Sequence, residues 1–167
     1  MNQDRLRRLA NRLEKEAAAD EALLRKAREV EGERRRAAAD LHSLCRAFVT
    51  AVNEHLRSLR LELDPDEYPL EVFRDTGVNV IQINARGRLV QIVFESTAQL
   101  SSTELFKTPY VLQGSVRWYN QDLIETTGIE EEQVFYCIGQ GWKYQNQRNR
   151  RQGAFDMDHL MQLMEQL

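Results

Sequence analysis

The chain has 167 residues, 42% hydrophobic and 29% charged, with a formal net charge of −3. That composition is globular, excludes a disordered polymer, and supplies enough apolar surface for an enclosed core. No stretch approaches the roughly 18 apolar residues of a membrane helix, and Met1-Asn2-Gln3-Asp4-Arg5 opens straight into charged residues without an apolar signal segment. A cytoplasmic protein without a membrane partner is the expectation.

Charge and aromatic content divide the chain. Residues 1–60 hold 14 Lys and Arg against 10 Asp and Glu, whereas residues 61–167 hold 9 against 16. Phe48 is the sole Phe, Tyr or Trp before residue 60. Two units follow: a charged helix over 1–60 whose last turns dock on a compact domain, and an α+β domain over 61–167. The acidic domain repels nucleic acid except at a local basic patch.

Within residues 1–60, alternating steps of three and four starting at Leu6 give ten apolar positions in thirteen. They run Leu6, Leu9, Leu13, Glu16, Asp20, Leu23, Ala27, Val30, Arg34, Ala37, Leu41, Leu44 and Phe48. A period near 3.5 is a coiled-coil seam. Asn2 is a suitable N-cap, and proline is absent before Pro65. Glu16, Asp20 and Arg34 interrupt the seam, and Gly32 costs about 1 kcal/mol relative to alanine. A continuous helix is expected; the alternative is a fold-back near Glu31-Gly32-Glu33. From Leu6 to Phe48 such a helix measures about 65 Å, whereas a domain of this size has a radius of gyration of about 13 Å. The domain cannot cover the stripe, so homodimerisation through Leu6, Leu9, Leu13, Leu23, Val30, Leu41 and Leu44 is expected. The wider apolar face from Ala47 to Leu61 is expected to dock.

After a turn-rich linker at Asp64-Pro65-Asp66 and Tyr68-Pro69, Leu70–Arg74 is a short strand candidate. Val78–Ile83 and Leu89–Phe94 are β-branched runs joined by the glycine-containing loop Ala85-Arg86-Gly87-Arg88, a hairpin. Ser101-Ser102-Thr103-Glu104 resembles a capping box for one helical turn, with a third strand as the alternative. Tyr110–Tyr119 alternates, and so does Val134–Tyr144, with the acidic segment Glu125–Glu132 between them. Met157, Leu160, Leu163, Met164 and Leu167 follow helical spacing behind an Asp156 cap. Strands closed by a terminal helix, without a βαβ rhythm, mean a mostly antiparallel α+β domain.

Groupings of chemically active side chains are few. Asp156, Asp158 and His159 could meet a divalent cation, but acidic residues at a helix start are explained by capping and the helix dipole. Cys137 with His159 would make a nucleophile and base, yet Cys137 sits in an apolar run with no orienting acid. Cys45 and Cys137 read as buried free thiols. His42 and His55, thirteen residues apart, are not an i,i+4 metal pair and read as helix-surface residues. Gly139-Gln140-Gly141 lacks the setting of a phosphate loop and marks a bulge or close approach. No catalytic residue, metal or cofactor is expected, and the protein is read as non-enzymatic.

One stretch invites a partner. Trp142, Lys143, Tyr144, Arg148, Arg150 and Arg151, interspersed with amides, form a basic and aromatic segment in an acidic domain. It is the expected contact for another protein; the alternative is single-stranded nucleic acid, and the plainest reading is a strand end followed by a polar loop. The function expected is a self-associating interaction or scaffolding module.

Overall fold

In the computed structural model, which describes residues 2–167, one helix, α1, runs unbroken over Gln3–Asn53. Its 51 residues give a rod of about 77 Å. Asn2 starts it, the side-chain Oδ1 accepting from the Arg5 amide at 3.2 Å. Gly32 does not interrupt it. The helix stops eight residues before Leu61 because Asn53 turns its amide side chain onto that residue. It donates to the Leu61 carbonyl at 3.1 Å and accepts from the Leu61 amide at 2.7 Å, fixing where the chain enters the sheet.

Seven antiparallel strands follow in a simple meander, each hydrogen-bonded to the next in chain order. They are β1 (Glu62–Asp64), β2 (Asn79–Ala85), β3 (Arg88–Ser96), β4 (Leu112–Asn120), β5 (Glu130–Cys137), β6 (Gly141–Gln145) and β7 (Gln152–Ala154). A short helix, α2 (Ile124–Thr127), lies in the β4–β5 connection, and α3 (Met157–Glu165) ends the chain. This is the α+β architecture expected. The β2–β3 hairpin turns through Arg86 and Gly87 at φ of 52° and 90°, and Asp156 caps α3 by accepting from the His159 amide at 3.0 Å.

Strand alternation puts one face of the sheet under the helices. Ile81, Ile83, Val90, Ile92, Phe94, Leu112, Val116, Trp118, Val134 and Trp142 line that face and form one core with Leu160 and Leu163 of α3. The same core takes in Val30, Ala37, Ala38, Leu41, Cys45, Phe48 and Val49 of α1. Docking therefore begins at Val30, not at Ala47 as the sequence suggested, and the division expected at residue 60 cuts through the core. At Gly114 the backbones of β3 and β4 approach so closely that a Cβ would overlap the Val93 carbonyl. On the opposite face a second small cluster, Phe106, Tyr110, Phe135 and Cys137, is buried; the rest of that face is largely polar.

Several local expectations change. Leu70–Val72 is a turn of 3-10 helix rather than a strand, and the strand that pairs with β2 comes earlier, at Glu62. Ser101–Glu104 forms no helical turn; Ser102 makes an isolated bridge with Tyr110. The alternating run Val134–Tyr144 is two strands, not one. It reverses over Ile138–Gln140, helped by Gly139 and Gly141 at φ of 79° and 84°, and Ile138 faces solvent. The three-residue edge strand β7 gave no sequence signal, because Gln152-Gly153-Ala154 lacks apolar alternation.

Candidate functional site

The first candidate surface is the part of α1 that leaves the domain. Between Gln3 and Glu29 only Ala27 is even partly covered. Leu6, Leu9, Leu13, Leu23 and Leu24 are between 43% and 61% exposed. This arm is about 40 Å long. Its charges are biased by zone: Arg5, Arg7, Arg8 and Arg12 outnumber Asp4 near the tip, Glu14, Glu16, Asp20 and Glu21 outnumber Lys15 in the middle, and Arg25, Lys26 and Arg28 outnumber Glu29 near the domain. The i,i+3 and i,i+4 pairs Asp4–Arg7 (3.6 Å) and Arg12–Glu16 (3.5 Å) are highly exposed and contribute little to stability.

Three of the seven expected seam residues belong elsewhere. Val30 and Leu41 are buried in the intramolecular core and Leu44 packs against it, so the sheet has already taken the face a second copy would use. Leu6, Leu9, Leu13 and Leu23 remain free. Arg34, which reads in sequence as a flaw in the seam, is 6% exposed and anchors the docked half. Its Nε donates to the Val111 carbonyl at 3.0 Å. Its Nη2 donates to the carbonyls of Thr97 and Gln99, both at 3.2 Å. Its Nη1 pairs with Asp75 at 3.4 Å, and that carboxylate also accepts from Ser96. One guanidinium thus ties α1 to the segment after β3 and to the turn before β2. A planar five-donor fork suits several fixed carbonyls in a way lysine could not.

The second candidate is the β6–β7 hairpin, where the structure splits the six expected partner-binding residues. Trp142 is a core residue whose indole donates to the Ala37 carbonyl of α1 at 2.8 Å. Tyr144 stacks on His159 with ring centroids 3.6 Å apart. Neither ring is available as a stacking platform for a base. Lys143 is half-buried on the opposite face of the strand, whereas Arg148, Arg150 and Arg151 are exposed in the loop. Asn146 organises that loop, its Oδ1 accepting from the amides of Arg148 and Asn149 at 3.0 and 3.4 Å. Arg150 adopts φ of 58°, and Arg148 reaches Glu130 at 3.3 Å. The loop is a shaped, cation-bearing turn on a rigid hairpin.

Beneath it lies a buried polar cluster whose members are distant in the sequence. The imidazole of His159, on α3, meets the Glu132 carboxylate of β5 at 2.7 Å, with side chains 6% and 8% exposed. Asn146 donates to the other carboxylate oxygen at 2.9 Å, and Phe155 lies edge-on to the imidazole. Burial opposes ionisation of Glu132, but the hydrogen bonds from His159 and Asn146, with the nearby charges of His159 and Arg151, outweigh it and hold the carboxyl below its usual range. The cluster ties α3, β5 and the basic loop together. Glu132 sits two residues before Val134 on the inward side of its strand, and His159 neighbours Leu160 and precedes Leu163 by one turn. Those two spacings were the signals available.

Other expected groups fall into structural places. Cys45 and Cys137 are free and buried; burial pushes the Cys45 thiol up to about 12 and raises that of Cys137, with Lys143 partly offsetting it. His42 is not on the surface: it is 4% exposed, its Nε2 lies 2.6 Å from the Pro65 carbonyl oxygen, and it stacks on Tyr68. Among the described residues no group of three His, Cys, Asp or Glu side chains is placed to hold a metal ion, and no helix is long and apolar enough to cross a membrane. Compared with known protein families, with curated proteins and with solved structures, the chain has no significant match in any of the three.

Proposed function

We propose that this protein is a non-enzymatic, self-associating interaction module, with the arm of α1 joining copies and the domain presenting the basic hairpin loop to an acidic protein partner. The observation that carries the reading is the bare arm. Helices in proteins draw most of their stability from packing an amphipathic face, and an exposed leucine stripe marks a surface that seeks cover. Among the described residues nothing covers it, since the domain packs from Val30 onward. For the head, Arg148, Arg150 and Arg151 offer planar carboxylate recognition from a preformed loop. Single-stranded nucleic acid is the weaker alternative, because Trp142 and Tyr144 are committed to packing.

Sedimentation of the full chain at tens of micromolar tests the arm. A dimer is the expected result, with a monomer in the Leu9→Glu, Leu13→Glu double variant at unchanged thermal midpoint of the head. A monomeric native chain overturns the reading.

A further inference from the structure

Resting on that self-association, we infer that two arms pair antiparallel, about a two-fold axis between Glu14 and Lys15, so that the two domains lie at opposite ends of a rod. The acidic interruptions of the stripe decide between the orientations. In a parallel, in-register pair each seam residue meets its own copy. Leu6, Leu9, Leu13 and Leu23 would match, but Glu16 would face Glu16 and Asp20 would face Asp20 in the middle of the contact. Two carboxylates brought together out of water repel, and one must take a proton to remain.

The antiparallel pair removes that conflict. With the axis between Glu14 and Lys15, Leu6 faces the second copy's Leu23, Leu9 faces Asp20, and Leu13 faces Glu16. No acid meets an acid in the seam. Each carboxylate meets an aliphatic side chain instead of a second carboxylate, and its charged end extends past the seam to water. The charge groups also become complementary: Arg8 and Arg12 at one arm's tip approach Asp20 and Glu21 at the other's middle. Leu24, 58% exposed and just outside the stripe, covers the second copy's Leu6. Ala10 and Ala17 flank the axis and let the helices approach closely.

The neighbouring antiparallel registers fail. Moving the axis half a heptad toward the domain sets Glu16 against Asp20. Moving it half a heptad toward the tip sets Leu6 against Glu16 and leaves Leu23 unmatched. A like-charge approach does remain in the favoured register, Arg5 near the second copy's Lys26, but it lies on the outer flank in water, where screening is strong. The contact ends before Val30, where each head's own sheet takes over the helix face.

Double electron–electron resonance on the full chain, spin-labelled at Arg7→Cys or at Glu14→Cys, reads the orientation. Both positions are exposed and off the stripe, and the two native thiols are buried. Antiparallel pairing places the two copies of position 14 nearly level and those of position 7 about 22 Å apart along the axis. The expected result is a short distance from position 14 and a clearly longer one from position 7. Equal short distances from both mean parallel arms and overturn the inference while leaving self-association standing. A sample that sediments as a monomer and shows no coupling at either position overturns both.

Discussion

Leu13 and Leu41 occupy equivalent positions of one heptad pattern on one continuous helix, yet Leu13 is 51% exposed and Leu41 1%. Asp20 and Arg34 form a second such pair: both are charges in the stripe, one in solvent and one at the centre of five hydrogen bonds and ion-pair contacts to the head. Periodicity states which face of a helix seeks cover, and is silent about what covers it. The cover is decided by the reach of the sheet, which ends near Val30. The inner half of α1 is a core element that happens to be helical, and the outer half is an arm.

The largest effect expected follows from breaking the chain at the wrong place. A fragment of residues 61–167 lacks Val30, Ala37, Ala38, Leu41, Cys45, Phe48 and Val49, all members of the single core. Each of the four large ones, Val30, Leu41, Phe48 and Val49, removes roughly 1.5–3 kcal/mol of burial, and together they remove about 6–12 kcal/mol, comparable with the whole 5–15 kcal/mol that a domain holds in reserve. Circular dichroism should show no cooperative melt for that fragment. A fragment of residues 30–167 should melt cooperatively near the full chain. Cooperative folding of 61–167 would mean that α1 is an appendage throughout.

Next in size is Arg34→Ala. It strips donors from the carbonyls of Val111, Thr97 and Gln99 and leaves Asp75 without its cation. Removing one partner of a buried charge pair costs about 3–5 kcal/mol, and the lower end is expected because Asp75 is partly open to water. Asp20→Ala, the matching change in the arm, should leave the head's midpoint unchanged in a thermal melt.

β2 and β3 were legible as runs of β-branched residues around a glycine-containing turn, and β4 by its alternation. The hairpin Val134–Tyr144 was not. Residue parity survives a turn of three residues, so the inward set Val134, Tyr136, Trp142 and Tyr144 reads as one strand. Gly139 and Gly141 were the physical mark of reversal. Among the candidate residues, the cations at 148, 150 and 151 were legible as a polar loop, and the alternation that Trp142 and Tyr144 share with Val134 and Tyr136 was the mark of their place in the core. Glu132–His159 was hidden for another reason: its members lie 27 residues apart, and only the packing of α3 on β5 brings them together.

That cluster supplies a smaller and pH-dependent effect. Because the Glu132 carboxyl is held below its ordinary value of 4.5, the unfolded chain binds its proton more readily than the native one. Its contribution is therefore complete above about pH 4.5 and is lost as the pH falls through the lower native value. Glu132→Gln should reduce stability at neutral pH by about 1.5–3 kcal/mol, the range for a hydrogen bond to a charged group. It should also flatten the decline on the acid side in urea titrations between pH 3 and 7. Parallel declines in both proteins would place the acid sensitivity elsewhere.

The smallest effect tests the junction between the two regions. Gly32 lies where the arm meets the docked half, between buried Val30 and Arg34, and a Cβ added there meets no atom within 4 Å. Alanine is favoured over glycine by about 1 kcal/mol inside a helix, through lower backbone entropy in the unfolded chain. In a continuous helix, Gly32→Ala has nothing to clash with and should raise the melting midpoint by about 2–4 °C, the shift per kcal/mol for a chain of this size. A helix that folded back at this residue would need the glycine to turn, and the same substitution would lower the midpoint and lengthen the particle in small-angle scattering. A higher midpoint with an unchanged scattering profile therefore separates a rigid rod from a hairpin. It also shows that the arm holds its direction from the head, as a two-ended assembly requires.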